Sequence, residues 1–251
     1  MARKLVTLLG VPGSGKSTLY GGLTRTGFDS FERAQAQSVG RWAVAEKIRL
    51  PLPSWIFGNK IFLHYYLVRY VSNISALDAR YAEALRLFSL RISDGLSSGQ
   101  ITPRMYMEFN CFAYDALSRV ALGERFPDSF DLVLQDEGWL NLALVSLHWG
   151  DRDEWLAWLT EVLDTLSPPA HVVWLYGAAE LSEARQRKRD RLATMYSEQR
   201  SIVEAALGVE AGIDAALPLL EKRGTTISRI DANMRAADAK ALATKMLAQA
   251  K

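Results

Sequence analysis

An apolar run, Lys4-Leu5-Val6-Thr7-Leu8-Leu9, leads directly into Gly10-Val11-Pro12-Gly13-Ser14-Gly15-Lys16-Ser17-Thr18. The second segment matches G-x-x-x-x-G-K-[ST], and no other feature limits the fold as much. The strand delivers the backbone, and the glycines let it bend around an anion with its N–H groups inward. The helix that follows aims the positive end of its dipole at the same point. In this pattern Lys16 reaches the β- and γ-phosphates of a nucleoside triphosphate, and Ser17 offers its hydroxyl to Mg²⁺. Gly10, Gly13, Ser14, Gly15, Lys16, Ser17 and Thr18 are therefore the candidate cofactor-binding residues, with ATP and Mg²⁺ the expected cofactors.

A strand–loop–helix unit needs further parallel strands beside it. Apolar runs at 130–135, 171–176 and 225–230 read as strands, with a shorter one at 27–31. Helical patterns separate them, so the expected fold is an α/β three-layer sandwich with a parallel sheet of about five strands. The interval 34–122 breaks the alternation. It contains no strand signal, and Leu77, Tyr81, Leu85, Phe88 and Ile92 recur at helical spacing, as do Tyr106, Phe109, Ala113, Ala116 and Val120. We read 1–33 and 123–251 as the core and 34–122 as a helical insertion that binds the acceptor or forms a lid. Asp151 and Glu154 form a capping box ahead of a helix carrying Trp155, Leu159, Val162 and Leu166. A long charge-rich helical region is expected over 178–206.

Asp136 lies at the carboxyl end of an apolar strand, where open α/β sheets place their ligands. An acid there holds Mg²⁺ or accepts a proton from the attacking hydroxyl. Glu137 is adjacent, and Glu32, after the short run at 27–31, is a further candidate proton acceptor. Arg185, Arg187, Arg189 and Arg191 alternate, so Arg185 with Arg189 and Arg187 with Arg191 form two stripes on a helix. Guanidinium groups neutralise a transferring phosphoryl group bidentately. His64, His148 and His171 show no metal-ligand spacing and receive no role.

The order of these features resembles the nucleotide and nucleoside kinases that share this loop, thymidylate kinase-like enzymes above all. The resemblance rests on Gly10–Thr18, the strand ending at Asp136, the segment from Val172 to Arg189, and Ile227-Ser228-Arg229-Ile230-Asp231-Ala232-Asn233. It implies that Arg185 and Arg189 belong to an arginine lid, and that Asp231, Ala232 and Asn233 lie near the adenine. It further implies an ATP-dependent phosphotransferase with Lys16, Asp136, Glu137, Arg185 and Arg189 as catalytic residues and Ser17 and Asp136 at the metal. Glu137 stands where thymidylate kinases have arginine.

Composition fits an enzyme of this kind. A formal net charge of +2 gives no reason to expect a nucleic-acid partner. The single cysteine, Cys111, excludes an internal disulfide and fits a reducing cytoplasm. The apolar run before the loop is too short for a signal peptide, and no run spans a membrane. A small-molecule acceptor is the expected partner, and a homodimer is compatible with the sequence. The competing expectation is a nucleotide-dependent switch whose insertion binds a partner protein.

Overall fold

The computed structural model describes residues 4–31, 33–34, 79–123, 131–136, 138–188 and 201–249. Five strands form one sheet: β1 Lys4–Leu9, β2 Asp29–Ser30, β3 Leu132–Gln135, β4 His171–Tyr176 and β5 Thr226–Asp231. Their order is β2-β3-β1-β4-β5, and every pairing is parallel. The α/β class expected from the sequence is the class observed. Val6, Leu8, Leu134, Val172 and Val173 are fully buried, as near-continuous apolar strands require in a sheet covered on both faces.

Eight α-helices are described, with a 3-10 turn at Ser146–His148: α1 Lys16–Thr24, α2 Ala79–Ser97, α3 Pro103–Gly123, α4 Trp139–Val145, α5 Arg152–Thr165, α6 Ala179–Lys188, α7 Ile202–Lys222 and α8 Ala236–Gln249. From β1 the chain steps outward to β2, then moves back across the sheet through β3, β4 and β5. Right-handed crossovers therefore put α1 on one face and the helices between β2 and β5 on the other. Accordingly α8 packs on α1, while α7 packs on α4, α5 and α6. Among the described residues no helix is long and apolar enough to cross a membrane.

From Ala79 onward the periodicity read over 77–92 falls in α2, and that at 106–120 falls in α3. These helices pack together, with α2 also against α5 and α3 against α4. Trp158 on α5 donates its indole N–H to the Leu87 carbonyl at 3.1 Å, and its ring meets Phe88 edge-on at 5.2 Å. Trp155, fully buried, donates to the Ala143 carbonyl at 2.8 Å. Asp151 caps α5 as its position predicts, accepting from the Asp153 and Glu154 amides. Of the helical region expected over 178–206, the described residues hold α6 and the beginning of α7, which is capped by Ser201 and runs on to Lys222, while 189–200 lie outside the described residues. Glu32, Glu137, Arg189 and the insertion residues 35–78 lie outside the described residues.

Candidate functional site: a phosphate loop and its cleft

The loop leaves β1 at Gly10 and enters α1 at Lys16. Gly10, Gly13 and Gly15 all have positive φ, at 151°, 91° and 103°. At Gly13 a Cβ would lie 3.1 Å from Ser182 Cα, so both the torsion and the space disfavour a side chain. The Ser14 amide closes a turn onto the Val11 carbonyl at 3.0 Å. Gly15 is the N-cap of α1 and makes no side-chain cap, so the helix opens directly onto the loop. Lys16 folds over the loop, its Nζ donating to the carbonyls of Gly10 at 2.6 Å and Val11 at 3.1 Å. Ser17 and Thr18, in the same first turn, are exposed.

The strand order sets what surrounds this loop. β1 lies between β3 and β4, with Thr7 beside Gln135 and Leu9 beside Trp174. One residue past β3 is Asp136, whose Oδ1 is buried without a hydrogen-bond partner. From β4 the chain turns at Gly177 into α6. There Ser182 donates its hydroxyl to the Pro12 carbonyl, and Arg185 Nη1 donates to the Gly13 carbonyl at 2.7 Å. A guanidinium carries five N–H groups, so Arg185 keeps further donors for an anion.

A cleft of about 280 Å³ joins the loop to the end of β5. Gly13, Ser14, Gly15 and Thr18 line one side, Asp231, Ala232 and Met234 the other, with Leu175 and Arg185 also in its wall. The turn after β5 is tied internally. The Asn233 amide and side-chain N–H both donate to Asp231 Oδ1, at 2.8 and 2.9 Å, and Asn233 Nδ2 also donates to the Gly177 carbonyl at 3.0 Å. The hydrogen bonds from the Asn233 amide and side chain hold the Asp231 carboxyl below its ordinary range.

The donor set suits Mg²⁺. Hydroxyl and carboxylate oxygens are hard ligands, and Mg²⁺ takes one or two protein oxygens beside substrate phosphates. The orphaned Asp136 oxygen is the observation that favours a cation there. Among the described residues no group of three or more His, Cys, Asp or Glu side chains gathers as a metal cage.

The structure thus brings Gly13, Ser14, Gly15, Thr18, Arg185, Asp231 and Ala232 around one cleft. Lys16 and Ser17 open α1 directly after the loop, and Asp136 is at the neighbouring strand end. Asn233 faces Gly177 and does not line the cleft. Ser182 was not singled out by sequence reasoning. Its signal is a spacing of three from Arg185, which puts both on one helix face. His171 is buried at the start of β4, the end of that strand away from the loop, where its Nε2 meets Ser228 Oγ at 2.8 Å.

No protein-family model matches this chain, and no curated protein matches it. Among solved structures the chain is similar to deoxyadenosine kinase from M. mycoides with dCMP and dCDP bound. Identity is 11%, coverage 98% of this chain and 99% of that one, and the TM-score 0.46. A structure of the same kinase with bound dATP gives 11% identity, 97% and 98% coverage, and a TM-score of 0.45. The fold assignment rests on the sheet order and the loop.

Proposed function

We propose that this chain is an ATP- and Mg²⁺-dependent kinase that transfers the γ-phosphoryl group to a hydroxyl or phosphate of a small acceptor. The acceptor class is nucleoside, nucleotide or sugar-like. One observation carries the reading: a single cleft joins the glycine loop, a loop-bonded arginine and the turn after β5. In this arrangement the base lies toward Asp231, Ala232 and Met234, and the polyphosphate runs along the loop past Thr18. Asn233 supports the base end through its bond to Gly177.

Lys16 leaves the Gly10 and Val11 carbonyls for the β- and γ-phosphates, exchanging neutral acceptors for anionic ones. Ser17 and Asp136 are the residues that would hold Mg²⁺, which when bound neutralises charge on the β- and γ-phosphates. Arg185 holds the loop with one N–H and meets the transferring group with the others. Covering that group also excludes water, which would otherwise take the phosphoryl group. Asp136, Glu137 or Glu32 accepts the proton of the attacking hydroxyl, and Arg189 completes the cationic clamp. The acceptor site lies between the carboxyl edge of the sheet and residues 34–122.

The test is transfer of label. Purified protein with Mg²⁺, γ-labelled ATP and pooled nucleosides, nucleotides and sugars is expected to move label into one compound class. Lys16→Ala should lower this by about a hundredfold or more, and Asp136→Asn by a similar factor. Label recovered only as inorganic phosphate would replace the kinase reading with a nucleotide-dependent switch.

A further inference from the structure

The Pro12–Gly13 peptide is gripped from outside the loop, by α6. Ser182 is fully buried, and its hydroxyl donates to the Pro12 carbonyl. Three residues on, nearly one helical turn, Arg185 donates to the next carbonyl, that of Gly13. The peptide is trans, so the Gly13 N–H points opposite to the Pro12 carbonyl. Holding that carbonyl on α6 therefore turns the Gly13 N–H away from α6 and into the loop. The Ser14 N–H is already committed to Val11. Gly13 is then the donor that the tip of the loop has left for an anion, ahead of the N–H groups that open α1.

We infer that Ser182 is a positioning residue that fixes the Pro12–Gly13 peptide in its anion-binding orientation, making α6 the outer half of the phosphate site. This rests on the reading of the loop as a nucleotide site. Without the Ser182 hydroxyl the Pro12 carbonyl loses its buried donor, and the peptide is free to turn a partial negative charge toward the phosphates. Gly13 makes such a flip easy, because glycine crosses between positive and negative φ at no steric cost.

The start of α6 is itself fixed, so Ser182 has a firm base. The Ala178 amide donates to Glu210 Oε1 on α7 at 2.8 Å, and the Gly177 carbonyl accepts from Asn233 at 3.0 Å. The first helical bond, from the Ser182 amide to the Ala178 carbonyl, is 2.7 Å. Contact with Gly13 is also close, since a Cβ there would lie 3.3 Å from the Ser182 carbonyl oxygen.

The experiment compares wild type, Ser182→Ala and Ser182→Thr by calorimetric titration with ATP and Mg²⁺, followed by kcat and KM. Ser182→Ala is expected to weaken nucleotide affinity about tenfold and raise KM for ATP likewise, with kcat at saturation within about twofold. Ser182→Thr, which keeps the hydroxyl, is expected to bind within about threefold of wild type. Wild-type affinity in Ser182→Ala would overturn the inference and leave the nucleotide site standing. Equal losses in the alanine and threonine variants, a fall in kcat matching the loss of affinity, or a Ser182→Ala protein that does not fold would each overturn it too. Wild-type protein that binds no nucleotide would remove both.

Discussion

Two buried polar atoms show how position decides what an orphan means. Asp136 keeps an unpartnered oxygen at the carboxyl end of β3, beside the loop. His171 keeps an unpartnered Nδ1 at the opening of β4, far from any chemistry. Burial pushes the His171 pKa below its ordinary 6.5, because a charged ring there would lose its water. The folded state then binds fewer protons than the unfolded chain as the pH falls past 6.5. The stabilisation is complete above that value and is lost on acidification toward the folded pKa. Urea unfolding between pH 7.5 and 5.5 should show stability falling with pH, and His171→Gln should flatten that part of the profile. An unchanged slope in the variant would assign the acid sensitivity to other groups. Residue-level legibility followed distance along the chain. Gly10 to Thr18 form one contiguous pattern, whereas Ser182 acts on Pro12 from 170 residues away, marked in the sequence only by its spacing of three from Arg185.

At the scale of elements, tryptophan indoles join the helical layer above the sheet. Trp158 fastens α5 to α2, and Trp155 fastens it to the end of α4, each through a ring N–H as well as apolar area. Trp155→Ala should cost about 3–5 kcal/mol of unfolding free energy by chemical denaturation, since a fully buried ring leaves a cavity and the Ala143 carbonyl keeps only the Ser146 hydroxyl of its two side-chain donors. A loss under 1 kcal/mol would mean that the layer closes around the gap. Elements with one buried face were legible: α2, α3 and α5 each carry a stripe at helical spacing, and β4 matches its apolar run. α4 was not, because Trp139, Leu140, Leu142, Ala143 and Leu144 are all buried and no polar face sets a period. α7 was hidden differently, by Gly208, Gly212 and Pro218, breakers that its long packed face overrides. β2, only two residues long, lies inside the short run read as a strand at 27–31.

For the whole molecule, the cleft proposed for the nucleotide is lined by the loop and by residues of α1, β4, α6, β5 and α8 at once, so binding there should stabilise the fold as a unit. At a hundred times Kd the gain is about 2.7 kcal/mol, visible as a rise in Tm with Mg²⁺ and ATP that Lys16→Ala abolishes. Absence of that rise in the wild type would count against the cleft as a nucleotide site. The parallel architecture was legible because strand and helix patterns alternate. The strand order was not, since it depends on which apolar faces meet across the finished sheet. That order has a consequence for biosynthesis. β1 bonds to strands that begin at Leu132 and His171, and α6 supplies two hydrogen bonds to the loop. If the cleft is the nucleotide site proposed above, a nascent polypeptide is expected to stay blind to ATP at least until Arg185 has left the ribosome, however early its glycine motif emerges.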